Sequence, residues 1–287
     1  MNKKQISIVI TLGSGTFGNT VFDTITLTGL RASTVISSLG GNAQGTAQAM
    51  IYGLSLDDMS RLTRIGPIGN EIAGKNTITI SAGDEGTTLS EVFSGTIMTA
   101  SAALNQSPDV AFTVLAQSAG VVALTPANPN SFPDGTDISE IFQTLAQEAG
   151  LTLENSGVSQ IMPHMYLTGS IYDQIKTVAQ AGHNFYEVRG NVLAIWPFGA
   201  YRTTNVDTLD ISPQTGMVGY PEFSEWFVDV KHLFIPQAAM GQQMNITNSI
   251  APGANRSWSV ISVQHFLESE MPNGKWFTEL KGLQIGV

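Results

Sequence analysis

Directly after an apolar run the chain spells Gly13-x-Gly15-x-x-Gly18, and the residues after those glycines restrict the fold more than the glycines do. A dinucleotide-binding loop needs a helix next, so that its N-terminus faces the pyrophosphate, and an acidic residue about 20 positions on. Here Val21, Ile25 and Leu27 are interleaved with Thr24, Thr26 and Thr28. That period of two, rich in β-branched residues, reads as a strand. Residues 31–45 hold no acid. The stretch is therefore read as a hairpin, with strands over 6–12 and 21–28 and a turn over 13–19.

The same period continues to residue 125. Ile78 and Ile80 alternate in NTITISAGD, and FSGTIMTASAAL and DVAFTVLAQSAG read as two strands joined around 105–109. A polar, Gly-rich patch covers 37–45. One helix interrupts over 55–64, with Ser55 as N-cap, Asp58 three residues on, and Leu56, Met59 and Leu62 as its buried stripe. Pro126, Pro129 and Pro133 crowd a turn-rich stretch that marks a boundary. Beyond it the period changes. Ile138, Ile141, Phe142, Leu145 and Ala149 fall on one helical face. A capping box of Asp137 and Glu140 opens that helix and Gly150 closes it. A strand, LTLE, follows. A second helix starts at Ser170, with Asp173 as its partner and Ile171, Ile175, Val178 and Ala179 as its stripe, and ends at Gly182. FYEVRGNVLAIWP is a hairpin turning at Gly190 and Asn191. From 201 the chain reads as β again, with a hairpin signal at Asn273-Gly274.

A faint echo links the ends. Strands over 95–100 and 110–117 flank a polar loop with Pro108; strands over 259–267 and 275–280 flank one with Pro272. The expected fold is mainly β with an α/β insert. Two tube-type β-barrels, 1–125 and 201–287, flank a small α/β module at 126–200.

Of the 287 residues, 42% are hydrophobic and only 13% charged, about half the usual ~25%. Low charge suits a surface covered by partners as well as a Thr/Ser/Asn-rich solvated one. The net charge of −10 is poor for gripping phosphate backbones and acceptable for a wall that nucleic acid must pass. With no cysteine, disulfides and thiolate metal sites are excluded. The N-terminal run carries Ser7 and Thr11 and shows no cleavage site, so it is not read as a signal peptide. No run approaches the ~18 apolar residues of a membrane span.

Catalytic patterns are missing. His164, His183, His232 and His265 never fall at metal-ligand spacing. Asp57 and Asp58 sit at a helix start, where the dipole favours anions. Asp84 and Glu85 lie in a Gly-rich turn. His265 stands on the strand face opposite Phe266, which suits a structural hydrogen bond or an interface contact. Phe223, Trp226, Phe227 and Phe234 cluster between Pro221 and Pro236. They read either as barrel core or as a protein interface, where Trp and Phe concentrate.

Several short stretches resemble, in order and spacing, the baseplate hub proteins of contractile-tailed bacteriophages. This is the tail hub and late-control family, related to the N-terminal part of type VI secretion spike proteins. The stretches are TLGSGTFG, ITLTGLRAS, AQAMIYGLSLDDMSRLT, ITISAGDEG with FSGTI, ISPQTGMVGYPEF, VKHLFIPQAAMGQQM and VQHFLESEMPNGKWFTEL. Family members often carry Gly near Phe227 and Asn near Ile235, conservative departures for a barrel. The resemblance implies a structural, non-enzymatic virion protein of the tail baseplate, assembled in the host cytoplasm. It also implies that no residue serves in catalysis, cofactor binding or metal binding. Three copies would set six barrels in a ring between the hexameric tail tube and the trimeric spike, with contacts of roughly 2,000 Å² or more. Implied partners are itself, the tube protein, the cell-puncturing spike and other baseplate proteins. By the same resemblance DNA would pass through the lumen without specific binding, and no membrane would be involved. Phe223, Trp226, Phe227, Phe234 and His265 are the candidate interface residues. The alternatives are a tail-associated peptidoglycan hydrolase and the hub of a contractile injection or secretion apparatus.

Overall fold

The computed structural model of the chain describes residues 3–13, 23–39, 44–63, 76–106, 109–124 and 126–286. The first β segment holds β1 (Lys4–Thr11), β2 (Thr24–Leu27), β3 (Ala32–Leu39), β4 (Thr46–Tyr52), helix α1 (Leu56–Leu62), β5 (Thr77–Asp84), β6 (Ser90–Ala102) and β7 (Ala111–Gln117). Next come α2 (Gly120–Leu124), β8 (Asn130–Phe132), β9 (Thr136–Asp137), α3 (Ile138–Glu148), β10 (Thr152–Asn155), β11 (Ile161–Met162), β12 (Met165–Leu167), α4 (Ile171–Ala181), β13 (Asn184–Arg189) and β14 (Val192–Pro197). The last segment holds β15 (Leu209–Ile211), β16 (Glu222–Phe223), β17 (Phe227–Leu233), β18 (Gln243–Ile246), β19 (Ser257–Ser269) and β20 (Trp276–Gln284).

The Thr-rich alternation that follows the glycines is a strand. β2 pairs antiparallel with β1, from Ile8↔Leu27 to Thr11↔Thr24. Gly13 donates its N–H to Asn76 Oδ1 at 2.9 Å; Gly15 and Gly18 lie outside the described residues. Ser55 caps α1, accepting from the N–H of Asp58 at 3.1 Å. Expected residue 64 of that helix is also outside the described residues.

One sheet spans both β segments, in the order β16-β17-β20-β19-β3-β4-β7-β6-β5-β1-β2, with β18 on β19 and β15 on β18. The joint is β19 against β3, antiparallel from Ser262↔Leu39 to Ser269↔Ala32. Of its two strands, β19 matches the strand expected over 259–267, whereas β3 overlaps the expected polar patch at 37–45 and is not expected from the sequence. Among the described residues the sheet is open: no ladder joins β16 to β2, and neither half closes into a barrel.

Within this sheet a five-strand unit occurs twice. β3-β4-β7-β6-β5 and β16-β17-β20-β19-β18 have the same chain order and spatial order, and all neighbours are antiparallel. The register repeats too. Ile78↔Gly95 corresponds to Met244↔Trp258, and Ala47↔Ala116 to Val228↔Gly282. The long strands β6 and β19 carry a bulge at matching places, between Ile97 and Thr99 and between Val260 and Ser262. Just before each bulge, Ile97 N–H donates to Asn76 O and Val260 N–H to Gln242 O, both at 2.9 Å. A bulge bends its strand and increases local twist, so both units curve at the same point. The sequence echo over 95–117 and 259–280 is the β6–β7 and β19–β20 part of this repeat.

The α/β insert has its own core, built on Ile141, Phe142, Leu145, Ile175, Val178 and Ile195. Ser170 and Asp173 form the expected capping box on α4. At α3 the expected box is replaced. Asp137 accepts from the N–H and Oγ of Ser139 through one carboxylate oxygen, and from Ser159 Oγ through the other. Asp137 also lies in a two-residue ladder with Ile161. The helix ends in a Schellman pattern: Leu151 N–H to Ala146 O at 2.8 Å, Gly150 N–H to Gln147 O at 3.1 Å, and Gly150 at φ +67°. β13 and β14 turn at Gly190 and Asn191, in register Arg189↔Val192.

A buried ion cluster ties the insert to the last β segment. Arg202 holds Glu154 of β10 at 2.8 Å and Glu187 of β13 at 3.2 Å, and also donates to Met240 O. Burial raises the Glu187 pKa, against the pull of Arg202. Gly241 lies against this cluster at φ +76°; a Cβ there would stand 2.6 Å from Arg202 Cδ.

Candidate inter-subunit surface

The five candidate residues fall into two groups. Phe223 on β16, Phe227 at the start of β17 and Trp226 between them share one outer edge of the sheet. Phe223 and Trp226 are 47% and 45% exposed, and Phe227 is also exposed. A tight turn holds this edge: Ser224 N–H donates to Phe227 O at 2.8 Å, and Ser224 Oγ accepts from the N–H of Phe227. The Phe223 ring packs over Gly253, where a Cβ would meet it at 2.5 Å. Tyr220 stands exposed beside them.

Phe234 and His265 lie elsewhere, at the joint between the two units. His265 is 3% exposed, opposite Ile36 of β3 and Thr278 of β20. Its Nδ1 is 3.0 Å from Thr278 Oγ1, and the Phe234 ring meets it edge-on at 5.6 Å. Burial, and secondarily the charge of Arg189, push its pKa down to about 4. It is a neutral residue enclosed within one chain. His232 lies on β17, separated from His265 by β20.

A second exposed edge was not read from the sequence. Beyond its bulge, β6 pairs with β7 on one side, while its other side has no strand among the described residues. Thr99 and Ser101 are exposed there, with Leu104 and Leu115 nearby. Its residues are small and polar, so only the sheet topology reveals it.

Asp84 and Glu85 are paired with Lys4 and Lys3. Among the described residues no group of three or more His, Asp or Glu is gathered as a metal ion requires. No described helix is long and apolar enough to cross a membrane.

A mostly β chain with an α/β insert and a repeated sheet unit is the frame against which known proteins compare. The family model of baseplate hub gp41 matches residues 6–277. The chain belongs to that family of phage tail baseplate hubs. No curated protein matches it. Among solved structures it is similar to the 43 kDa tail protein of prophage MuSo2 from Shewanella oneidensis. That match has 11% identity, covers 97% of this chain and 96% of that one, and has a TM-score of 0.60. A tail protein from Neisseria meningitidis MC58 matches at 8% identity over 98% and 97%, with a TM-score of 0.62. The c3393 protein of E. coli, described as a type VI secretion component with structural similarity to T4 tail proteins gp27 and gp5, matches at 9% over 89% and 74%, with a TM-score of 0.61. At such identities the likeness is one of fold.

Proposed function

We propose that this baseplate hub acts as three copies in a ring that joins the tail tube to the central spike and lets DNA pass. The observation that carries this reading is the repeated five-strand unit. Two matching units per chain become six around a ring of three, so one molecule can face a sixfold tube on one side and a threefold spike on the other. In the ring each unit curls, at its β6 or β19 bulge, into a tube-type barrel. The domains are then 1–125, 126–200 and 201–287, although one sheet runs through the first and last. The net charge of −10 per chain suits a lumen wall from which DNA is repelled. The role is structural, in the virion, after assembly in the host cytoplasm. Partners are the chain itself, the tube protein, the spike and other baseplate proteins.

Light scattering across a concentration series tests the ring. A mass of three times 30.6 kDa is expected, alone or with the tube or spike neighbour as template. A monomer under all three conditions overturns it. The fold shared with a secretion component supports a second reading with the same geometry, the hub of a contractile injection or secretion apparatus. Particles that package no genome would favour it.

A further inference from the structure

The Asn273-Gly274 pair closes the β19–β20 hairpin and is the one asparagine–glycine step in the sequence. Gly274 N–H donates to Met271 O at 3.2 Å, and Asn273 stands at φ +55° after Pro272, the arrangement of a type II turn. Glu268 and Lys275 clamp the turn from behind: Glu268 N–H donates to Lys275 O and Lys275 N–H to Glu268 Oε2, both at 2.8 Å. Position 274 has room only for glycine, since a Cβ would stand 3.0 Å from Glu268 O. Asn273 is exposed, and its carboxamide has no hydrogen bond among the described residues.

Asparagine is chemically labile. Its side-chain Cγ can be attacked by the backbone nitrogen of the next residue, and a glycine there, without a Cβ, leaves that nitrogen open and the chain free to rotate. Three other described asparagines, Asn130, Asn155 and Asn248, precede a serine. Asn130 Nδ2 is held by Glu148 and Gln174, and both ends of the Asn155 carboxamide bond Val158. Asn248 is exposed, but the nitrogen that would attack it, that of Ser249, donates to Asn255 Oδ1 at 2.9 Å. Among the described residues, a free carboxamide, an unhindered attacking nitrogen and a long turn bond meet at Asn273.

We propose that Asn273 is a self-modification site of this chain, converting to aspartate and isoaspartate with water as the co-reactant. Solvent base takes the proton of the Gly274 nitrogen. That nitrogen bonds Asn273 Cγ, the Cγ–Nδ2 bond breaks, and ammonia leaves with a proton from solvent, which closes a succinimide ring. Water then opens the ring. Cleavage between the nitrogen and Cγ gives aspartate. Cleavage between the nitrogen and the Asn273 backbone carbonyl gives isoaspartate, whose main chain runs through Cβ. Either product adds a negative charge to a turn flanked by Glu268 and Glu270, and isoaspartate also lengthens the turn. Met271, Pro272 and Trp276 of the same hairpin wall a groove with Phe234, so ageing of the chain alters charge and shape at its rim.

The test is to incubate the full-length protein at neutral and at mildly alkaline pH, cut it after lysine and arginine, and weigh the peptides. The peptide 257–275 holds Asn273 as its one asparagine. It is expected to gain the mass of an amide-to-acid change before any other peptide, and to split into two chromatographic peaks of equal mass with the isoaspartate form larger. The change is expected to run faster at the higher pH, where more of the attacking nitrogen is deprotonated. Asn273→Gly, which keeps a residue suited to positive φ, is expected to lose the shift and the accompanying acidic band in isoelectric focusing. Conversion in urea but not in the folded protein overturns the proposal, since the native turn then shields the site. Earlier conversion of the peptide 232–256, which carries Asn248, overturns it as well, and so does a shift within 257–275 that fragmentation places on Gln264.

Discussion

His265 takes its state from the strands that enclose it. A lone histidine opposite a phenylalanine on a strand left two readings open, a structural hydrogen bond or an interface contact. It is enclosed between β3 and β20 with Thr278 as partner. Held neutral, with its pKa down to about 4 against about 6.5 unfolded, it makes the unfolded state the stronger proton binder between those values. Stability attributable to it is therefore complete above pH 6.5 and lost as pH falls toward 4, by roughly 3 kcal/mol. Chemical denaturation from pH 7 to 4 should show a steeper loss for the wild type than for His265→Gln. Identical slopes would mean the ring gains its proton without unfolding.

Among elements, legibility followed the contrast between the two faces. α4 and the β13–β14 hairpin were legible because a capping pair and a Gly-Asn turn sit beside strongly patterned apolar positions. β3 and β4 were not. β3 turns Ala32, Thr34 and Ile36 inward and Ser33, Val35 and Ser37 outward. β4 turns Ala47, Ala49 and Ile51 inward, with Met50 and Tyr52 on the other face. When small or polar residues face in and apolar ones face out, period-two contrast disappears. Among the three exposed aromatic candidates, Phe223 sits on a two-residue strand and is about half covered by its own chain, over Gly253, so its replacement should act more on association than on the fold. Phe223→Asp is expected to weaken self-association at least tenfold, about 1.4 kcal/mol, in sedimentation runs, with only a small drop in thermal midpoint. An unchanged association constant would remove β16 from the interface.

For the whole molecule, the insert and the sheet are coupled by Arg202, which reaches both Glu154 and Glu187. Removing one partner from a buried ion cluster leaves charges uncompensated and typically costs about 3–5 kcal/mol. Arg202→Met should therefore destabilise by that order in urea. A triple variant that also replaces Glu154 and Glu187 with Leu should recover most of the loss. A single variant as stable as the wild type would show that the insert is held by its apolar contacts alone.

The sequence by itself determined the local units: a β hairpin where a nucleotide loop is spelled, two amphipathic helices in a separate insert, and β segments at both ends with a matching strand–loop–strand. These depend on neighbours within a few residues, where periodicity, caps and turn residues act. Only the tertiary structure decided that β19 adds to β3, so that the two β segments form one sheet with a repeated register. That pairing joins residues more than 200 positions apart through backbone hydrogen bonds, which carry no side-chain signature. The same step buried His265 and left Phe223 and Trp226 on an open edge, because a strand edge is covered or bare only once its neighbours are in place.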